Sequence, residues 1–194
     1  MILAGLDYSI TSPGLTIVNT QKPLRFENME MFFVTTKKAL VGDFKNLHGF
    51  QYPEWKCAEE RYHKLAQMYF GILKRFGVDV LMLEDYSYSS SNQTLNLAEA
   101  LSVLKQFMWE SGLNYFSIPP SKLKKQSTGK GNADKSTMIR SFYSREKCQT
   151  FNEILGIKSE KVDAKPIDDL VDSAWLAIAL YESDLWKTVN REGK

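Results

Sequence analysis

The sequence predicts an α/β protein built on a mixed five-stranded sheet with helices on both faces, and three observations carry that expectation. Strand-like and helix-like stretches follow one another in the order βββαβαβαα. One strand, VDVLML (78–83), is apolar at nearly every position, as a strand covered on both faces must be. The long helical stretches carry their apolar residues as one stripe or almost throughout, so they have a sheet to pack against.

Each element has its own signal. MILAGLD (1–7) is a short, mostly apolar first strand; the turn residues Ser12-Pro13-Gly14 lead into LTIVN, and MEMFFVT supplies a third strand, which makes an antiparallel meander. KKALVGDFKNLHGFQYPEW then reads as an irregular insertion around residues 37–54. A helix is expected from about Glu54 to Phe76, with Tyr62, Leu65, Met68, Tyr69, Ile72 and Leu73 on one stripe and Gly77 as its stop. After VDVLML come a helix at about Gln93–Glu110, the strand NYFSI, a helix at about Ala133–Lys147 and a last helix at about Ile167–Tyr181. No repeat and no linker rich in Pro, Gly or Ser divides these 194 residues, so one domain is expected.

Composition narrows the class. Hydrophobic residues are 43% and charged residues 25%, and no apolar run reaches the roughly 20 residues of a membrane span. The start lacks a basic region and a small-residue cleavage site, which points to a soluble cytoplasmic protein. Cys57 and Cys148 are expected as free thiols in separate helices, with no metal or disulfide spacing. His48 and His63 are the only imidazoles, which disfavours a histidine-centred metal site or a Ser-His-Asp triad; any metal would be held by oxygen. The net charge is +2, but Lys122, Lys124, Lys125, Lys130 and Lys135 face only Asp134 between 122 and 135. That stretch is +4 and the remainder −2.

Acids stand where buried elements end. Asp7 closes the first strand, Glu84 follows VDVLML, and Asp169 and Asp172 open an otherwise apolar helix, three residues apart and hence on one face. Taken singly, each has a bland explanation: a turn-forming Asp, an exposed strand end, or a first-turn acid favoured by the helix dipole. That last explanation applies to Asp168 and Asp169 alike; Asp168 lies four residues before Asp172, could share its helix face, and is the alternative to Asp169. Asp172, on a helix with little solvent face, needs a partner. Converging carboxylates repel and hold protons unless a cation lies between them, and without imidazole or thiolate that cation is Mg²⁺, or Mn²⁺ as a close substitute. Two such ions about 4 Å apart serve phosphodiester displacement.

With these residues in order, the chain resembles the RuvC-type resolvases of four-way (Holliday) DNA junctions, of the ribonuclease-H-like fold. The likeness rests on Asp7-Tyr8-Ser9 with Pro13-Gly14, on Glu84 ending a central strand, on KKQSTGKGNADK (124–135), and on DLVDSAWLAIA opening the last helix. It implies a Mg²⁺-dependent endodeoxyribonuclease, acting as a homodimer on branched DNA, with Asp7, Glu84, Asp169 and Asp172 as ligands of two ions. Lys124 and Lys135 would lie beside the scissile strand, Lys135 within the catalytic set, and paired nicks would leave 5′-phosphate and 3′-hydroxyl ends. The family often sets an aromatic wedge three residues after the Glu; here that position is Ser87, between Tyr86 and Tyr88. A stand-alone resolvase of this size suits a phage.

GKGNADKS nearly spells a phosphate-binding P-loop, but Asp134 takes the place of its second glycine, so no nucleotide cofactor is expected. The lysine-rich stretch is read instead as a flexible turn that neutralises backbone phosphates, with Tyr8, Tyr86 and Tyr88 as candidates to stack on unpaired bases. The helix bearing Met68 and Tyr69, or its neighbour at Leu101–Met108, is the expected dimer face. Other readings are a branch, flap or RNA–DNA hybrid nuclease of the same fold, and a junction-binding module without catalysis. An actin-like ATPase would need two such domains.

Overall fold

The computed structural model describes residues 1–85, 92–158 and 165–189. The strands are β1 (Ile2–Asp7), β2 (Gly14–Asn19), β3 (Glu30–Thr35), β4 (Gly42–Phe44), β5 (Leu47–Gln51), β6 (Val80–Glu84) and β7 (Asn114–Ile118). The helices are α1 (Ala58–Arg75), α2 (Asn92–Ser111), α3 (Pro120–Thr128), α4 (Lys135–Glu146), α5 (Phe151–Leu155) and α6 (Ile167–Ser183).

All seven strands form one mixed sheet in the order β4-β5-β3-β2-β1-β6-β7. The meander β1-β2-β3 is antiparallel, while β6 and β7 run parallel to β1. The expected count of five strands was too low. The stretch around 37–54 holds β4 and β5, and β5 pairs with β3 over Met31–Thr35. These strands are short and include Gly42, Asp43, His48 and Gly49 in place of an apolar alternation, so nothing in the sequence marks them as strands. Their cohesion is partly polar: His48 bridges Asp43 (2.7 Å) and Glu30 (2.8 Å) while its ring stacks on Phe32.

Each sheet face buries its own apolar layer. Ala4, Leu6, Leu15, Phe32, Leu81 and Leu83 meet α1 and α2 on one side; Leu3, Val18, Met31, Phe33, Val80 and Met82 meet α3 to α6 on the other. Alternation along β1 and β6 divides consecutive residues between the two layers, which is why β6 reads as continuously apolar. Tyr69, Leu101 and Met108 are buried in the α1–α2 layer, whereas Met68 is only partly buried.

Two glycines fix how α6 lies. A Cβ on Gly5 would stand 2.2 Å from the Ala177 nitrogen and 2.3 Å from the Ser173 oxygen, and one on Gly14 would stand 2.3 Å from the Asp169 oxygen. Only hydrogen at these positions lets the helix backbone rest directly on β1 and β2. A buried hydroxyl pair, Thr16 to Ser173 at 2.8 Å, pins the same contact. Among the described residues no helix is long and apolar enough to cross a membrane.

Two further differences concern the lysine-rich stretch and the thiols. Lys122, Lys124 and Lys125 sit on α3, a helix entered through Pro120 and closed by Gly129 in the left-handed region (φ 80°), rather than on a flexible turn. Asp134 caps α4, accepting from the Thr137 amide at 2.7 Å. Cys57 is the N-cap of α1 and Cys148 lies between α4 and α5, so neither is inside a helix; both are free thiols.

Candidate active site

The sheet order explains how the acids meet. Asp7 ends β1 and Glu84 ends the adjacent parallel β6, one step beyond the Leu6–Leu83 pair, so both carboxylates leave the sheet at the same edge. Gly14 pairs with Asp7 and lies under the Asp169 backbone, which brings the N-terminal turn of α6 to that edge as well. Asp172 follows one helical turn later.

The electrostatics record the convergence. Burial holds the Asp7 carboxyl well above its usual range, and Asp172, Asp169 and Glu84 push it the same way. Asp172 is raised to about 7 by burial and then by Glu84, with Lys135 opposing. Asp169 is raised to about 6 by burial and by Asp168, with Lys165 and the nearby Ser12 hydroxyl pulling it back. Glu84 is raised by burial against the pull of Lys124 and Lys135. Four acids from three separated segments thus oppose one another's ionisation in one place.

Two ammonium groups bond the acids of α6 directly. Lys135 Nζ bonds Asp168 Oδ2 at 2.5 Å; Lys165 Nζ bonds Asp169 Oδ1 and lies 3.5 Å from Asp168 Oδ2. Burial alone would depress the Lys135 ammonium, but the Asp168 hydrogen bond and the surrounding carboxylates outweigh it and raise its pKa. Both first-turn acids thus hold a lysine, Asp168 pairing with Lys135 and Asp169 with Lys165, and of the two Asp169 is the one felt by Asp7. Lys165 went unnoticed in the sequence. Its only signal was a spacing of three and four residues before Asp168 and Asp169, obscured by the intervening Pro166.

The residues suit a hard divalent cation in kind. The donors are carboxylates without imidazole or thiolate, and Asp168 Oδ1 and Asp169 Oδ2 are buried with no hydrogen-bond partner. Among the described residues, no three donors are already arranged as ligands of one ion, and the lysines provide the compensating charge.

Around the acids, Lys124 is partly exposed and near enough to act on Glu84; Lys122, Lys125 and Lys130 are exposed on α3 and the turn after it. Tyr8, a candidate for base stacking, is only 6% exposed, packs edge-on against Tyr69 and belongs to the core. Tyr86, Ser87 and Tyr88 lie outside the described residues. The loop from Tyr8 to Pro13 is held from beneath by Tyr69, whose hydroxyl donates to the Pro13 carbonyl, a role without any signal in the sequence.

No family model and no curated protein matches the chain. Solved structures do. RuvC of Thermus thermophilus in complex with Holliday junction substrate superposes with a TM-score of 0.60 at 22% identity, over 92% of this chain and 91% of that one. The yeast mitochondrial Holliday junction resolvase Ydc2 gives 0.58 at 16% identity, over 95% and 78%. The resolvase of fowlpox virus, solved with Holliday junction DNA, gives 0.52 at 18% identity, over 95% and 99%. The chain shares the fold of these three solved proteins. On this fold, β4 and β5 widen the sheet beyond the five strands expected, and the acid edge lies at the carboxyl ends of β1 and β6.

Proposed function

We propose that the chain is a structure-selective DNA endonuclease that resolves four-way junctions in the cytoplasm. The observation that carries this reading is the meeting of Asp7, Glu84, Asp169 and Asp172 at one sheet edge beside lysines of α3 and α4. Asp7, Glu84, Asp169 and Asp172 would hold two Mg²⁺ ions, with Asp168 as the alternative to Asp169. Bound there, the ions supply a water of lowered pKa and a counter-charge for the departing 3′ oxygen.

The chain's own groups account for the rest. Lys122, Lys125 and Lys130 neutralise phosphates flanking the scissile one, a contact that orients the strand without reading its bases. Lys124 and Lys135 bring positive charge to Glu84 and so favour its ionised form, the form able to bind a cation. Lys135 also fixes Asp168, while Asp169, held by Lys165, and Asp172 act on Asp7. Asp7 ends β1, which lies between β2 and β6 in the sheet. Two opposed nicks, each leaving a 5′-phosphate and a 3′-hydroxyl, need two such sites, which a two-fold homodimer provides.

The test compares labelled four-way junction, flap and RNA–DNA hybrid in Mg²⁺, with EDTA as control. Paired symmetric nicks in the junction, in Mg²⁺ or Mn²⁺ only, are expected. Preferential cutting of flap or hybrid would move the chain to another nuclease class, and binding in EDTA without any cutting in Mg²⁺ would make it a junction binder.

A further inference from the structure

Trp55 is 44% exposed, yet it is held firmly. The Arg61 guanidinium lies over the indole, 4.5 Å from its centroid, and the Tyr52 ring meets it edge-on at 5.1 Å. Arg61 in turn donates through Nε to the Tyr52 hydroxyl (2.8 Å) and through an Nη to the Ile10 carbonyl (3.0 Å), which the Tyr52 hydroxyl also reaches. Ile10 is three residues past Asp7, in the loop whose Ser12 hydroxyl lies beside Asp169. A rigid aromatic surface is thus braced against the loop that frames the acids.

Topology sets it on the correct side. β5 is parallel to β3, and β3 is parallel to β1 through the two antiparallel pairings of β2. The segment leaving β5 at Tyr52 therefore emerges at the same edge as Asp7. Three strand spacings separate the two, roughly 14 Å across the sheet.

Resting on the nuclease reading above, we propose that Trp55, backed by Arg61 and Tyr52, is a stacking platform for an unpaired nucleobase of the DNA strand that leaves the acid site. Charge does not recommend this surface: Glu54, Glu59 and Glu60 balance Lys56, Arg61 and Lys64, and Glu60 pairs with Lys64 at 2.8 Å. Attraction here comes from the ring face, which every base can use and which salt screens little. The platform therefore differs in kind from the lysines of α3.

The experiment measures binding of a short single-stranded oligothymidylate and of a four-way junction, in EDTA, over a range of salt, for the wild type, Trp55→Ala and Trp55→Phe. Trp55→Ala is expected to weaken both about tenfold with an unchanged salt slope, and Trp55→Phe to recover most of the loss. At saturating junction, Trp55→Ala should nick within about twofold of wild type, because the platform positions the strand away from the acids. Photo-crosslinking of bromodeoxyuridine oligonucleotide to the wild type, which needs no variant to fold, should mark the peptide containing Trp55. Equal affinity of Trp55→Ala, a changed salt slope, or crosslinks confined to other peptides would each overturn the platform. A wild type that binds and nicks junctions while Trp55→Ala matches it removes the platform alone; a wild type that does neither removes the nuclease reading.

Discussion

At Asp169 and Asp172 the same burial that raises the pKa makes the ionised cluster a cost to the fold. In the unfolded chain these groups ionise near pH 4, whereas in the fold they do so at about 6 and about 7. A carboxyl whose folded pKa is raised favours the native state while protonated, so its contribution is full below about pH 4. It is lost as pH rises to about 7. With EDTA present, the melting temperature should therefore fall by about 5 °C or more between pH 5 and pH 8, and Mg²⁺ should recover it at pH 8 but not at pH 5. A melting temperature indifferent to both pH and Mg²⁺ would mean that the carboxylates are fully compensated by Lys135 and Lys165. The acids stood out in the sequence because separate bland explanations at the ends of three apolar elements would have to coincide. Lys165 and the burial of Tyr8 did not, since a lysine ahead of a proline and a tyrosine after a strand carry no pattern of their own.

Among the elements, α6 and α3 carry the consequences. α6 rests on hydrogen at Gly5 and Gly14, so Gly14→Ala must lift the Asp169 backbone off β2. A loss of about 1–3 kcal/mol in chemical denaturation is expected, with about a hundredfold slower nicking from the displaced carboxylate. Nicking as fast as wild type would show that Asp169 can shift without consequence. α3 leaves Lys125 exposed, and Lys125→Ala should lower the salt slope of junction binding by about one in log–log terms. An unaltered slope would take α3 out of the DNA path. The strands β1 and β6 and the helices α1, α2, α4 and α6 were readable because each buries a continuous layer or stripe, whereas β7 was read from NYFSI although only Ile118 is buried in it. β4 and β5 escaped because they mix glycine with charge and are held in part by the His48 bridges. α3 was missed because only Leu123 and Ser127 are buried in it; Pro119-Pro120 was the one hint of a helix start.

For the whole molecule, sheet order is what joins distant segments. β1 and β6 are more than 70 residues apart in sequence but adjacent and parallel in space, and α6 crosses them from the far end of the chain. The sequence allowed this edge to be expected, but the pairing of β5 with β3, which sets Trp55 beside the acid edge, emerges only from the assembled sheet. On the nuclease reading, Asp7, at the middle of that convergence, is required for cutting and not for holding DNA. The decisive experiment is single-turnover nicking of a labelled four-way junction by Asp7→Asn in Mg²⁺, with binding followed in the same samples. Retained affinity with nicking slowed by several orders of magnitude is the expected result; cutting at the wild-type rate would contradict the claim.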